Sequence, residues 1–474
     1  MHCLFGLDIG TSKLAAVALD ADSGKLLAIE QATNRTGQSS ADTDVSEQDA
    51  EALVAASIGL IKTLVRRPEL SKARPTALGV TGQMHGLALV DGCGQPLSPL
   101  ITWQDGRGSR VGKSFDRSWV AEFIRRVGPS ALEAAGGPAA AGYGGVTLLR
   151  LAGEGALPEN SMALTIQALM VRRLCGRSVL DPTDAAGWGL FDVRHGKKWL
   201  PGIAQALELP AALLPEVAPT GSLAGALLPE MAGATGLPAG LPVAVALGDN
   251  QASFLGSVSR PTETLLMNLG TGGQMSVPVK RFIRVDGLET RPFVGGNRLL
   301  VGASLCGGRA YEILNHFFQQ VGRDLFSVKS GPELYEAMNR LASGAAACGG
   351  ISARTLFTGS RRDPAARASL EGLTAANFTP ANVVRSVIRG MVEELAGFYD
   401  LARSAGVTAK FLMGGGNAVR NNPAVREELE RCLGMALCLP PRIEEAAVGA
   451  ALAGGIAAGV YPDWESGTKG YAQA

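Results

Sequence analysis

Leu7-Asp8-Ile9-Gly10-Thr11-Ser12 and Met267-Asn268-Leu269-Gly270-Thr271-Gly272 write one phrase twice, at a constant offset of 260 residues. Each is an apolar run that stops at Gly-Thr and leads into a second apolar run, Leu14–Asp20 or Gln274–Val279. An apolar run, a glycine turn and a return run make a strand pair. A strand pair recurring at this distance predicts two related α/β halves.

The sequence around each copy extends the pattern. Strands are predicted at Cys3–Asp8, Leu14–Asp20 and Lys25–Thr33, with turns at Gly10-Thr11-Ser12 and Asp22-Ser23-Gly24. A Ser46-x-x-Asp49 capping signal opens a helix carrying Leu53, Val54, Ile58, Ile61 and Leu64. The strand Ala77–Thr81 then runs into Gly82-Gln83-Met84-His85-Gly86. The second half reads as apolar strands Leu241–Leu247 and Leu265–Leu269, then a helix over Pro380–Ala405 striped by Val383, Val387, Met391 and Leu395. Lys410–Met413 is a strand entering Gly414-Gly415-Gly416-Asn417, and Asn422–Gly434 and Glu444–Gly459 are helices. No low-complexity linker intervenes. The join is expected just before Asp249, giving halves 1–247 and 248–474.

Length and composition agree. A chain of 474 residues with 46% hydrophobic and 18% charged content can bury two cores. Its 44 basic and 43 acidic side chains argue against a polybasic nucleic-acid or membrane-surface binder. Seven scattered cysteines without a C-x-x-C pair read as reduced thiols, which points to the cytoplasm. No basic leader opens the N-terminus, so a secretory signal is not expected. The run Ala446–Val460 is short of the roughly 20 residues of a membrane span and reads as a buried small-residue helix.

Three glycine turns, at 10–12, 270–273 and 414–417, end strands. Glycine lets a backbone approach an anion, and successive N–H groups can wrap phosphate oxygens. G-x-x-x-x-G-K-[ST] and G-x-S-x-G are absent, and G-x-G-x-x-G follows none of these strands. That removes a P-loop, the simplest hydrolase and a dinucleotide-binding unit. Asp8 ends the first strand and Asp249 follows Leu241–Leu247. A carboxylate there can hold a metal ion or take a proton from a hydroxyl. The alternative is capping, with Asp249 as N-cap of a helix over Gln251–Val258. Gln83-Met84-His85-Gly86 and Thr102-Trp103-Gln104-Asp105-Gly106-Arg107 mix donors, acceptors and ring faces in a way that suits a polyol. His85 has no metal-ligand spacing to His2, His195 or His316, and alone it reads as a structural hydrogen-bonder.

Gly6–Ser12, Gly82–Gly86, Trp103–Arg107, Gly248-Asp249-Asn250, Leu269–Gly272, Gly414–Asn417 and Ala446–Ala451, taken in order, resemble the FGGY carbohydrate kinases of the actin/hexokinase/Hsp70 superfamily. The resemblance covers nearly the whole chain. It implies an α/β fold of two actin-like (ribonuclease H-like) ATPase domains around a central cleft. It also implies ATP and Mg²⁺ as cofactors and a small-molecule sugar as partner. Nucleic acid and membrane are not expected, and a homodimer is left open.

Within the family, Gln83-Met84-His85-Gly86 is similar to the ketose kinases rather than the glycerol kinases. Gln104, where xylulose kinases typically carry Asn, and Ala246–Ser253, Gly142–Thr147 and Ala303–Gly308 are similar to members that phosphorylate sedoheptulose. The implied reaction is transfer from ATP to the terminal primary hydroxyl of a ketose, giving sedoheptulose 7-phosphate. A pentulose such as xylulose is the alternative, and a non-catalytic actin-like ATP-binding protein stands further behind.

By the same resemblance Asp249 is the general base, and Asp8 holds magnesium through water. Gly10, Thr11, Ser12 and Lys13 would clamp phosphates opposite Gly270, Thr271 and Gly272. Gly415, Gly416, Asn417 and Asn421 would lie along the adenosine. Gln83, Met84, His85, Trp103, Gln104, Asp105, Arg107 and Asn250 would line the sugar site. Two departures stand out. Gly359-Ser360-Arg361 lacks the acid of the family's Gly-Glu-Arg, and Gly272 replaces a common Ser.

Overall fold

The computed structural model describes residues 1–196, 198–328, 333–344, 348–360, 363 and 365–468. Two sheets carry the fold. The first holds β1 (His2–Ile9), β2 (Lys13–Asp20), β3 (Leu26–Thr33), β4 (Arg74–Gly82), β5 (Leu223–Ala226) and β6 (Pro242–Ala244). Their spatial order is β5-β6-β4-β1-β2-β3, and β7 (Leu247–Gly248) also pairs with β4. β1, β2 and β3 form an antiparallel meander, while β4 runs parallel to β1, and β6 and β7 run parallel to β4.

The second sheet holds β8 (Thr264–Leu269), β9 (Gly273–Val279), β10 (Glu289–Pro292), β11 (Arg298–Ser304), β12 (Phe411–Gly415) and β13 (Leu437–Cys438), in the order β10-β11-β9-β8-β12-β13. Again a meander, β8-β9-β11, is followed by parallel strands β12 and β13. The repeat read from the two Gly-Thr turns is therefore a repeat of topology.

The helices that bear on the site are α1 (Ala50–Val65), α2 (Ile166–Cys175), α3 (Asp249–Ser257), α4 (Gly308–Phe326), α5 (Pro380–Ser404), α6 (Pro423–Leu433) and α7 (Glu445–Ala457). One core draws on residues between Cys3 and Ala246, another on residues between Leu265 and Leu429. α7 belongs to the chain's second half yet packs on the first sheet, Ala447, Val448 and Leu452 meeting Leu4 and Val17. Glycine makes that approach feasible. A Cβ on Gly6 would stand 1.9 Å from the Ala447 carbonyl oxygen, and one on Gly79 would stand 1.7 Å from that of Ala450. The apolar run near the C-terminus is thus a buried helix. Among the described residues no helix is long and apolar enough to cross a membrane. The seven cysteines are free thiols.

Three local expectations need correction. Leu241–Leu247 is two short strands, β6 and β7, because the four-residue step from Val243 to Leu247 opposes only a three-residue step from Leu78 to Thr81 of β4, so the pairing slips by one residue between them. α1 is capped by Asp49, whose side chain accepts from Ala52 N–H at 2.9 Å, while Ser46 N–H is held by Asp105 (3.0 Å). Gly248, not Asp249, is the N-cap of α3, so Asp249 is its first residue and the capping alternative falls away. Arg361 and Arg362, in the segment that departs from the Gly-Glu-Arg pattern, lie outside the described residues.

Candidate active site

β1, β4 and β7 run parallel, with Asp8 paired to Thr81, Ile9 to Gly82 and Gly82 to Gly248. Their C-terminal ends therefore bring Asp8, Gln83 and Asp249 to one edge, where parallel α/β sheets place their ligands. One carboxylate oxygen of Asp8 is buried without a hydrogen-bond partner. Burial pushes the Asp8 carboxyl up to about 7, with Asp249 and Glu444 adding to the rise and Lys13 opposing it. The Asp249 carboxyl is pushed up to about 6, again by burial, against the Asn250 backbone N–H and Arg291.

The turn that presents Asp249 is braced from behind. Gly248 N–H donates to the Thr183 hydroxyl (2.8 Å), which itself donates to Asp181 (2.8 Å). Asp181 and Asp184 are wholly buried. Asp184 accepts from the Thr165 hydroxyl (2.8 Å) and the Gln167 amide (2.6 Å). Burial raises Asp181 to about 6 and holds Asp184 well above the usual carboxylate range.

The first Gly-Thr turn is a tight one, Gly10 N–H donating to the Lys13 carbonyl at 3.0 Å. The Asn34 side-chain amide fixes the carbonyls of Gly10 and Thr11. The Thr11 hydroxyl donates to the buried Gln83 side chain (3.1 Å) and accepts from the Trp103 indole (2.9 Å). Trp103, 44% exposed, thereby lies against this turn. Gln104, beside it, is exposed, and Ser12 and Lys13 are also open to solvent. Lys13 pairs with Glu444 at 2.7 Å. Asp105 is committed elsewhere, taking Ser46 N–H and the Arg107 guanidinium (2.9 Å), and Arg107 also pairs with Glu47.

The second turn sits beside the third. Asn268 pairs with Gly415 across β8 and β12, and Gly416 carries φ +84°, where a Cβ would meet the Leu269 carbonyl oxygen at 2.3 Å. Gly308 N–H and Arg309 N–H hold the carbonyls of Gly270 and Thr271. Asn417 and Asn421 begin and end the short helix that follows.

Met84 and His85 open into a recess shared with Tyr143, Gly187, Glu289 and Arg291. His85 stacks on Tyr143, centroids 4.5 Å apart and planes 13° apart, and its Nδ1 lies 2.8 Å from the Gly187 carbonyl. It holds a left-handed backbone, φ 73°. Asn250 ties α3 to the second sheet, donating to Gln274 of β9 (2.6 Å) and accepting from Arg291 of β10 (3.3 Å).

Residues 3–256 match the model of the FGGY family of carbohydrate kinases, N-terminal domain. The chain belongs to that family. This FGGY protein is 27% identical to the sedoheptulokinase of Mus musculus, over 94% of its own length and 96% of the relative's. It is also 27% identical to the glycerol kinase of Rhodospirillum centenum, covering 98% and 92% of the two chains. Among solved structures it is similar to the xylulose kinase of Rhodospirillum rubrum, with TM-score 0.86, 22% identity, and 98% and 92% coverage. The two-domain actin-like fold and a carbohydrate kinase activity that uses ATP follow for this FGGY kinase.

Sequence reading assigned no role to Tyr143, Thr183, Gln274, Glu289 or Arg291. Glu289 and Arg291 fall on one face of the short strand β10, since alternate residues share a face. What they face depends on the other half of the chain.

Proposed function

We propose that this FGGY kinase transfers the γ-phosphoryl group of ATP to the terminal primary hydroxyl of sedoheptulose, giving sedoheptulose 7-phosphate, in a cleft between halves joined near residue 248. Asp249 carries the proposal. It is the carboxyl at the strand edge beside the recess lined by Met84, His85 and Arg291, with an affinity for protons that leaves it ionised at neutral pH yet basic enough to take one. Similarity to a sedoheptulokinase over nearly the full length of both chains supports the choice of sugar.

In this reading the hydroxyl oxygen bonds to the γ-phosphorus as the bond to the bridging oxygen breaks and ADP departs. Asp249 takes the hydroxyl proton. The transition state is loose, so positioning and neutralisation of phosphate charge supply most of the rate. The turns at Gly10–Lys13 and Gly270–Gly272 would hold the phosphates, and Gly415, Gly416, Asn417 and Asn421 the adenosine. Magnesium bound with ATP would neutralise phosphate charge. Asp8, with its unpartnered buried oxygen, fits an ion that keeps most of its water. Among the described residues no cluster of three acid, His or Cys side chains is placed to cage one.

The test is ADP release from magnesium-ATP with sedoheptulose, D-xylulose, D-ribulose and glycerol. Asp249→Ala should cost about 10²–10⁴ in rate. A preference for xylulose or ribulose would replace the sugar and keep the mechanism. No sugar-dependent turnover would refute the reading.

A further inference from the structure

The peptide group between Leu247 and Gly248 lies within β7 and stands just ahead of Asp249. Two threonine hydroxyls grip it from its two ends. Its carbonyl accepts from Thr81 Oγ1 at 2.7 Å, and its N–H donates to Thr183 Oγ1 at 2.8 Å. A peptide group is planar and its C=O and N–H point opposite ways, so bonds at both ends stop it from turning.

The two hydroxyls come from different elements. Thr81 belongs to β4, where it pairs with Asp8 of β1, and Thr183 belongs to the short helix Pro182–Ala186. Thr183 is itself fixed, because its hydroxyl donates to Asp181 at 2.8 Å. A hydroxyl whose proton is committed to a carboxylate can only accept from the peptide N–H, so the direction of that bond is set. Asp181 also accepts from the Thr220 hydroxyl (2.6 Å) and from Asp184 N–H (2.8 Å). Gly248 offers no side chain to anchor the turn, and a Cβ there would stand 2.7 Å from Met84 Sδ. Thr81 and Thr183 are wholly buried, so neither has surface to offer a ligand.

We infer that Thr81 and Thr183 are positioning residues for the general base. Together they fix the rotation of the Leu247–Gly248 peptide, and with it the direction from which the Asp249 carboxylate meets the sugar hydroxyl. This rests on the reading of Asp249 given above. Because the pair acts through Asp249 and touches no ligand, its loss is felt in the chemical step rather than in sugar binding.

The experiment is steady-state kinetics at saturating magnesium-ATP, with whichever of sedoheptulose, D-xylulose, D-ribulose and glycerol the wild type turns over fastest. Thr81→Val and Thr183→Val keep the shape and remove the hydroxyl. Each should lower kcat about 10–100-fold, the scale of a misplaced catalytic group, and leave KM for sugar within about threefold. Thr81→Ser and Thr183→Ser keep the hydroxyl and should hold kcat within about threefold of wild type. Thr220→Val takes a donor from the same Asp181 carboxylate without touching the peptide, and should also hold kcat within about threefold. Valine variants that keep kcat, or that raise KM instead, would overturn the inference alone. So would an equal fall in Thr220→Val, which would make the buried carboxylate the cause. Should a valine variant not fold, the serine variants decide: a folded one that loses about tenfold or more in kcat overturns the inference. A wild type without sugar-dependent turnover would overturn the reading of Asp249 and the inference with it.

Discussion

Asp249 has its carboxyl pushed up to about 6 because its surroundings take it out of water. Two effects of opposite sign follow from that one displacement. As a base it must be ionised, so kcat/KM should rise with pH through about 6 and then level off; a profile flat from pH 5 to 8 would remove Asp249 from the role. For stability the sign reverses. The folded state binds this proton more tightly than the unfolded chain, whose Asp titrates near 3.9. The group therefore costs nothing below that pH and destabilises increasingly as pH rises through 6. Asp249→Asn should abolish turnover while stabilising the protein by about 1–3 kcal/mol at pH 8, with no gain at pH 4. Thermal melts at the two pH values check this. A variant that melts lower at pH 8 would mean that the carboxylate is holding structure together.

Among the elements, α7 shows most clearly how sequence becomes architecture. Its Ala and Gly residues were legible as a helix in a tight place, and so were the two Gly-Thr strand pairs, because period and turn chemistry are local. The surface beneath α7 was not legible, since Gly6 and Gly79 belong to strands some 370 or more residues away. Gly79→Ala should cost about 3 kcal/mol, as overpacking against backbone leaves nothing flexible to yield. Urea unfolding would measure it, and a loss under 1 kcal/mol would show that α7 can shift. The same distinction explains the site. Asp8, Gln83 and Asp249 were readable because each ends an apolar strand and the parallel register then gathers them. β10 was not, because a four-residue strand at a sheet edge acquires its meaning from Gly136 and Tyr143 of the first half and from Asn250 at the start of α3. Asp105 looked like a sugar ligand for its company, yet its carboxylate is spent on Ser46 N–H and Arg107.

Across the whole molecule polar contacts join the two halves at separate places. On one side Glu444 receives both Lys13 (2.7 Å) and Gln31 (2.6 Å) at the foot of α7. On the other, Arg298 reaches from β11 into the first half, donating to the Val193 carbonyl (2.7 Å) and the Arg194 carbonyl (3.3 Å). It is held there by the carbonyls of Gly296 and Asn297. Arg194 in turn pairs with Glu133 at 2.6 Å and lies over the Phe282 ring. A kinase must keep water from taking the phosphoryl group, and a cleft that closes on sugar does so. Arg298→Met keeps the apolar stem and removes the guanidinium, so the halves lose a directional clasp while the core stays filled. The variant should release ADP without sugar at least about fivefold faster than wild type. It should also form less than one sugar phosphate per ADP when sugar is present. Parallel assays of ADP and sugar phosphate measure that ratio directly. If Arg298→Met keeps the ratio at one and the sugar-free rate unchanged, the clasp contributes stability alone, and exclusion of water rests with the Glu444 side and the sugar itself.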